Sequence, residues 1–194
     1  MDLLKYYPKI EEATRRYSSV NESYQTLLSI CNGAKRRSGR LVADHCVGIA
    51  NRVAHYVNDP VDINAALLHD IQEDYNLSFE EVKSISGRGR KGAATARIVS
   101  ILSKPRDIKD KNLRDYAYMR QLVRGIMEMK QKGKGIGVVK LCDRLDNLSD
   151  VTYMPPDRIA FILWQSIIFY APLALKLNLP GLSKRILSAA IQHL

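Results

Sequence analysis

The sequence contains few cysteines, and the three present (Cys31, Cys46 and Cys142) are scattered and odd in number. This usage argues against a disulfide framework and is typical of a chain kept in a reducing compartment. The first residues contain neither an apolar run nor a small-residue cleavage site, so we expect no signal peptide. Together, these absences predict a cytoplasmic location.

The chain also lacks a convincing stretch with strand-like alternation, an internal repeat and a low-complexity tract. Apolar residues instead recur at helical spacing, which predicts an all-α fold of about nine or ten helices. The 194 residues are 46% hydrophobic and 26% charged, which is typical of a globular protein with a substantial core. We predict one domain over residues 1–194.

Glycine, proline and polar residues mark the predicted helix ends. We expect basic, glycine-containing loops at residues 32–40 and 87–92 and a helix break at residues 131–135. Ser78-Phe79-Glu80-Glu81 is typical of a capping box that opens a helix. The most apolar predicted helix, Ile159 to Leu177, contains Pro172 and is slightly shorter than a membrane span. We therefore predict a buried core helix there.

Acidic residues are outnumbered by basic ones, 20 to 30, which gives a net charge of +10. This excess favours an anionic partner, either nucleic acid or a heavily phosphorylated small molecule. Charge alone does not choose between these two classes.

The most informative stretch, residues 65–74, is predicted to be one apolar helix that ends with His69, Asp70, Glu73 and Asp74. Residues three and four apart share one face of a helix, so these four side chains can converge. An imidazole with several carboxylates suits a divalent cation such as Mn²⁺, Fe²⁺, Mg²⁺ or Zn²⁺. An isolated His-Asp pair is more often a solvated helix end, so a metal site requires further ligands.

Two later observations supply such ligands. His45 lies near the start of a predicted helix from about Val42 to Val57, where a lone histidine is usually a polar cap residue. Asp143 lies on an otherwise apolar helical face, and a buried carboxylate is unfavourable unless it is paired or metal-bound. The alternative for Asp143 is a surface pair with Arg144.

The order His45, His69-Asp70, Asp143 resembles that of the HD superfamily of metal-dependent phosphohydrolases. Arg36-Arg37-Ser38-Gly39, followed by His45, is similar to the RKSG…H segment of the hydrolase domain in RelA/SpoT-type alarmone enzymes. Residues 67–74, 140–147 and 170–174 are similar to the LLHDxxED, KLADRLHN and YAPLA segments of that domain, in the same order. The resemblance covers about Gly33 to Leu177. It implies a stand-alone small alarmone hydrolase, since the chain has no room for a synthetase domain.

This resemblance implies a role for each matching residue. His45, His69, Asp70 and Asp143 would hold one divalent metal, Mn²⁺ in most of the family, and Glu73 and Asp74 would act on the attacking water. The implied substrate-binding residues are Arg36 at the base, Arg37 at phosphate, Asn147 at the nucleoside, and Ser38, Lys140 and Arg144. The family removes the 3′-pyrophosphate from guanosine tetra- and pentaphosphate, and gives GDP or GTP.

Gln72, Tyr75, Cys142 and Asp146 differ from the commoner family residues. Because Asp146 and Asp150 are close to Asn147 in sequence, we expect an altered nucleoside pocket. Guanosine alarmones and their adenosine counterparts, (p)ppGpp and (p)ppApp, therefore both stay open as substrates.

Two alternatives compete with the alarmone hydrolase. One is another HD-type nucleotide phosphohydrolase, against which the Glu73-Asp74 pair and the Arg36-Ser38-Gly39 loop argue. The other is a non-catalytic basic HD module that binds RNA or a protein, against which the complete metal set argues. We expect a small nucleotide as the partner rather than nucleic acid or a membrane. The sequence leaves the oligomeric state open.

Overall fold

The regular structure is helical throughout the residues described here. A computed structural model describes residues 2–129 and 133–194. Within these ranges no strand is present, and the one β-type contact is an isolated antiparallel bridge between Lys35 and Leu41. The all-α prediction is therefore confirmed.

The described residues form twelve α-helical segments. They are α1 (Pro8–Arg16), α2 (Ser18–Cys31), α3 (Val42–Tyr56), α4 (Pro60–Leu68), α5 (Ile71–Asp74), α6 (Phe79–Ile85), α7 (Gly89–Leu102), α8 (Lys111–Glu128), α9 (Gly133–Ser149), α10 (Pro156–Gln165), α11 (Ala171–Lys176) and α12 (Pro180–Ile191). Short 3₁₀ turns lie at Leu4–Tyr6 and Val151–Tyr153, and the π-helical turn Ser166–Tyr170 joins α10 to α11. If α4–α5 and α10–α11 are each counted as one helix, this part of the chain contains ten, in agreement with the prediction.

Local sequence signals fix several of the helix ends. Ser78 accepts a hydrogen bond from the backbone N–H of Glu81, and the Glu81 side chain accepts one from the backbone N–H of Ser78. This is the predicted capping box. At the start of α4, the side chain of Asp59 accepts a hydrogen bond from the backbone N–H of Val61, and Pro60 occupies the first helical position. Residues 58–60 therefore begin α4 as well as separating it from α3.

Helix α4 is the centre of the core. Every residue from Val61 to Leu68 is buried, and α4 packs against α2, α3, α7 and α9. Helix α9 is also largely buried and packs against α3, α8 and α12. The C-terminal end of α4 therefore meets α3 and α9 in the interior, and this junction carries the predicted metal ligands.

The predicted loop at residues 87–92 and the predicted helix break at residues 131–135 are wrong at their C-terminal ends, because glycines there belong to helices. Helix α7 begins at Gly89, and a Cβ atom at Gly92 would lie 2.1 Å from the carbonyl oxygen of Gly87. Helix α9 begins at Gly133, and a Cβ atom at Gly135 would lie 2.3 Å from Asp62 Oδ1. These glycines permit close helix packing rather than helix breaks. Residues 131–132 of the predicted break, together with residue 130, lie outside the described ranges.

The most apolar helical run extends from Pro156 to Lys176 through the π-helical turn, and Pro172 follows that turn directly. By length and composition, this run is long and apolar enough to cross a membrane. In the fold, 33% of its most apolar 18-residue stretch is buried. One face packs against α9 and α12, whereas Trp164, Ile168 and Leu175 are exposed. The predicted core helix is therefore buried on one face only.

Candidate metal centre and cleft

His45 is held in the first turn of α3 with its side chain fully buried. Its Nδ1 lies 2.6 Å from Asp146 Oδ2 on α9. Since an ionised carboxylate only accepts hydrogen bonds, Nδ1 carries the proton. The Nε2 atom is buried and has no hydrogen-bond partner among the described residues. It lies 3.4 Å from Asp70 Oδ2 and 3.6 Å from Asp143 Oδ1.

His69 and Asp70 directly follow α4, whose last residue is Leu68, and α5 begins at Ile71. The prediction of one continuous helix to Asp74 is therefore wrong at these two residues, which keep near-helical backbone angles without continuing the helix. His69 Nδ1 donates to the Ala66 carbonyl at 2.9 Å. Its Nε2 is buried, also without a hydrogen-bond partner in the described ranges, and lies 3.7 Å from Asp143 Oδ1.

The four predicted metal ligands therefore come together from three separate parts of the chain. Ligand atoms of His45, His69 and Asp70 all lie within 4.8 Å of one another. Asp143 approaches both imidazoles with one oxygen, as the distances above show. A buried imidazole nitrogen without a partner is unfavourable, and here two such atoms face carboxylate oxygens. A divalent cation with nitrogen and oxygen ligands satisfies all these atoms at once, so the residues fit a metal.

Opposite charges compensate for burial within this group. Burial lowers the pKa of His69, but the adjacent carboxylates of Asp70 and Asp143 outweigh it and raise the pKa well above its ordinary value. Burial raises the pKa of Asp143, but Lys140 and the two histidines hold it well below its usual range. Burial likewise raises the pKa of Asp70, but His69 and His45 outweigh it and lower that pKa. Both carboxylates are therefore ionised at neutral pH, which is the state that a cation requires.

A cleft of about 220 Å³ opens beside the predicted ligands. Its lining includes Asp70 and Asp143, together with Glu73, Asp74 and Asn147. Glu73 and Asp74 are exposed, and the backbone N–H of Lys104 donates to Glu73 Oε2 at 3.2 Å. Although the residue is exposed overall, partial desolvation of the Asp74 carboxyl group and the charges of Asp70 and Glu73 raise its pKa to about 6. A carboxylate with that pKa can accept a proton near neutral pH.

The lining of the cleft also contains four cationic side chains: Lys104, Lys140, Arg144 and Arg158. Lys140 Nζ lies 2.6 Å from Asp143 Oδ2, so it pairs with a predicted metal ligand. Arg144 is buried, stacks over the Tyr170 ring at 4.2 Å and donates to Gln165 Oε1 at 3.0 Å. Both predicted substrate-binding cations are therefore held in place at the cleft.

The loop before α3 contacts the cleft lining through Arg36, which bonds to Asn147 but is not itself among the described lining residues. Arg36 Nη2 donates to Asn147 Oδ1 at 2.5 Å, and its Nε lies 3.2 Å from Asp150 Oδ2. Asn147 in turn donates to Asp143 Oδ1 at 2.6 Å. Neither Arg37, which is exposed, nor Ser38 is among the described residues that line the cleft. The structure thus connects Arg36 with Asn147 but does not bring Arg37 and Ser38 to the cleft.

Asp146 and Asp150 occupy different surroundings, although the sequence placed both near the nucleoside. Asp150 contacts Arg36, as expected. Asp146 is fully buried behind His45 and is not part of the described cleft lining. The expectation that Asp146 alters the nucleoside pocket is therefore wrong, because its side chain faces α3 instead.

Sequence reasoning missed the residues that hold the cationic side chains of the cleft lining. Asp115 on α8 is buried and accepts hydrogen bonds from Lys104 Nζ at 2.8 Å and from Arg158 Nη1 at 3.0 Å. Tyr118, one turn further on, is buried beneath Lys140, whose Nζ lies 5.0 Å from the ring centre. No local signal in the sequence indicates these contacts, because Lys104 and Arg158 lie 11 and 43 residues from Asp115. These contacts depend on the fold.

Three comparisons with known proteins agree with this arrangement. A family model described as the HD domain matches residues 24–179. The guanosine-3′,5′-bis(diphosphate) 3′-pyrophosphohydrolase of Aquifex aeolicus is 29% identical over 99% of this chain and 25% of its own length. The bifunctional (p)ppGpp synthase/hydrolase SpoT of Escherichia coli is 27% identical over 82% of this chain and 22% of its own length. The chain thus spans about a quarter of the length of these curated relatives.

A solved structure of a metazoan SpoT orthologue, described as hydrolysing ppGpp, superposes with a TM-score of 0.62. The alignment covers 91% of this chain and 94% of the other, at 19% identity. This likeness shows a shared fold. Because the family model matches most of the chain, including all four predicted metal ligands, the chain belongs to the HD-domain family.

Proposed function

We propose that this protein is a metal-dependent hydrolase that removes the 3′-pyrophosphate from (p)ppGpp. The observation that carries the proposal is the pair of buried, unpartnered Nε2 atoms of His45 and His69, which face the carboxylates of Asp70 and Asp143. This centre lies beside a cleft whose lining contains both acidic and cationic side chains. The named activities of the relatives and of the structural neighbour support the same reaction.

In this proposal, His45, His69, Asp70 and Asp143 hold one divalent cation, and we propose Mn²⁺. When bound, such a cation polarises a phosphoryl oxygen and lowers the pKa of a water molecule. The donor set of two imidazoles and two carboxylates suits Mn²⁺, although it does not distinguish that ion from its first-row neighbours.

The residues around the cleft have separate roles in the proposed reaction. Glu73 and Asp74 orient the attacking water, and Asp74, with its pKa raised to about 6, accepts the proton. Lys140 and Arg144 offset the negative charge that develops on the attacked 3′-pyrophosphoryl group as its bond to the ribose 3′-oxygen breaks. Arg36 and Asn147, joined by their hydrogen bond, contact the nucleoside. Roles for Arg37 and Ser38 at the substrate stay predictions, because a bound nucleotide would have to draw this loop closer.

The test is a product analysis with purified protein. We would incubate it with Mn²⁺ and ppGpp, pppGpp or their adenosine counterparts, with an EDTA control, and separate the products by ion-exchange chromatography. We expect pyrophosphate together with GDP or GTP. Relative rates on the adenosine compounds would define the base preference, which the Arg36–Asp150 contact leaves open.

Carboxylate-to-amide variants test the proposed roles. Asp143→Asn should abolish metal binding and turnover together, whereas Glu73→Gln should lower kcat by about 10²- to 10⁴-fold and leave metal affinity unchanged. Glu22→Gln, an exposed residue on α2, is the matched control and should behave like the wild type. No turnover of any of the four nucleotides by metal-loaded protein would refute the proposal.

Two outcomes would favour the competing functions. Release of phosphate or triphosphate from a panel of other nucleotides would indicate a different HD-type phosphohydrolase. Tight RNA binding with a steep salt dependence, unaffected by Asp143→Asn, would indicate a non-catalytic basic module. A cytoplasmic location, a single domain over residues 1–194 and the absence of nucleic-acid and membrane partners stay predictions alongside this proposal.

A further inference from the structure

Asp146 is a buried carboxylate that the proposed reaction does not use. It lies on α9 three residues after Asp143, but its side chain faces α3 and is 1% exposed. In the family segment that this region resembles, KLADRLHN, the same position holds histidine. This chain therefore departs from that segment at Asp146.

Three cationic or N–H-bearing groups converge on this one carboxylate. Oδ2 accepts hydrogen bonds from His45 Nδ1 at 2.6 Å and from Arg40 Nη1 at 2.7 Å. Oδ1 accepts one from Arg52 Nη1 at 2.5 Å. The two guanidiniums keep the buried carboxylate ionised, and they hold it rigidly against the imidazole.

This contact determines which nitrogen of His45 is available. Because the carboxylate can only accept, the His45 proton is fixed on Nδ1, and the Nε2 lone pair is directed at Asp70 and Asp143. His69 is oriented by a different acceptor, the neutral carbonyl of Ala66. A carboxylate raises the donor strength of an imidazole more than a carbonyl does.

We propose that Asp146 is a positioning residue that fixes the tautomer and orientation of His45 and thereby strengthens binding of the metal. The inference rests on the proposed metal site, and it adds a residue behind the four ligands. Arg40 and Arg52 anchor Asp146 in turn, so α3 and α9 are joined at the metal centre.

The test compares Mn²⁺ affinity in two aspartate-to-asparagine variants. Asp146→Asn keeps the size of the side chain but weakens its hold on His45, and we expect Mn²⁺ affinity to fall by about 10- to 100-fold. Asp44→Asn is the matched control, since Asp44 also binds Arg40 and accepts a hydrogen bond from Tyr7, but no hydrogen bond or ion pair of the described residues joins its side chain to that of His45. Its affinity should stay within about twofold of the wild type. Mn²⁺ binding is measured by titration with detection of the free ion by electron paramagnetic resonance.

A spectroscopic readout separates positioning from general structural damage. Long-range ¹H–¹⁵N correlation spectra of the metal-free wild type at pH 8 should show His45 protonated at Nδ1, and Asp146→Asn should populate both tautomers. The wild-type spectrum decides the inference even if the variant does not fold. A proton on Nε2 in the wild type, or unchanged Mn²⁺ affinity in folded Asp146→Asn, would overturn it.

Failure of the proposed activity is distinguishable from failure of this inference. If Asp146→Asn weakens Mn²⁺ binding while the wild type hydrolyses no alarmone, the positioning role stands and the proposed reaction falls. If the wild type binds no Mn²⁺, both fall. If Asp146→Asn binds Mn²⁺ like the wild type and alarmone is hydrolysed, only the positioning role falls.

Discussion

Replacing Gly135 with alanine tests the packing that carries the metal centre. An added Cβ atom would lie 2.3 Å from Asp62 Oδ1, 2.4 Å from Cγ and 2.6 Å from Oδ2, and Asp62 is itself buried. Alanine favours a helix over glycine by about 1 kcal/mol, whereas overpacking costs about 1 to 3 kcal/mol. Because the contacted group is a buried carboxylate held in α4, we place the cost at the upper end. We therefore expect a net loss of about 1 to 2 kcal/mol in the free energy of unfolding.

Gly181→Ala provides the comparison. Gly181 lies in the first turn of α12, and an added Cβ atom there would meet no atom of the described residues within 4 Å. This substitution should stabilise the protein by about 0.4 to 1 kcal/mol, chiefly by restricting the unfolded chain. Urea denaturation followed by circular dichroism measures both variants. In thermal melts, Gly135→Ala should lower Tm by about 2 to 8 °C, given about 2 to 4 °C per kcal/mol for a chain of this size. Stabilisation by both variants would refute the argument that close helix approach selects glycine at position 135.

Three further predictions follow from buried or perturbed groups. Partial burial of its carboxyl group and neighbouring carboxylates raise the pKa of Asp74 to about 6, so the proposed base becomes protonated below that pH. We therefore expect kcat/KM to fall about tenfold per pH unit below pH 6. A kcat/KM that is flat from pH 7 to 5 would exclude Asp74 as the base. Burial raises the pKa of Cys46 to about 11 and that of Cys142 to about 12, so neither thiol should react with iodoacetamide at pH 8 before unfolding, as peptide mass spectrometry would show. Burial raises the pKa of Asp115, but its two cationic partners outweigh this and lower it, so Asp115→Ala should cost about 2 kcal/mol at pH 7. That stability difference should shrink as the pH falls below about 4, since the wild-type carboxyl then becomes protonated, and equal urea midpoints at pH 7 would contradict it.

The residues of the metal centre could be predicted from two features of the sequence. One is the helical spacing of nearby polar residues, and the other is the order of the ligand residues along the chain. The separations of Asp70 from Asp74 and of Asp143 from Asn147 are helical, and a helix brings such residues to one side without information from the rest of the fold. The order of the HD ligands then indicates that separate helices converge. The structure does bring His45, His69, Asp70 and Asp143 together, and their roles as ligands remain a proposal for the metal titration to decide.

Helix boundaries were less predictable at glycines, because glycine can either interrupt a helix or allow two helices to pack closely. In a sequence, a glycine-rich segment such as residues 133–137 favours a break, because glycine lowers helix propensity. In the structure, the same segment is the start of α9, since only a missing side chain allows its close approach to α4. Local propensity cannot reveal this, because the neighbour that demands the small residue, Asp62, is distant in sequence.

Asp146 shows how a correct motif can still give a wrong location. The sequence places Asp146 beside Asn147, which suggests that both residues alter the same pocket. A helix that is buried on nearly all sides, as α9 is, presents neighbouring residues to different partners: Asn147 faces the cleft, and Asp146 faces His45 on α3. Because His45 and Asp146 are 101 residues apart, only the fold reveals the contact. A substituted motif residue on a buried helix therefore points to a different contact for its side chain. Only the packing of the surrounding helices shows whether that contact is made with the substrate or, as for Asp146, with a metal ligand.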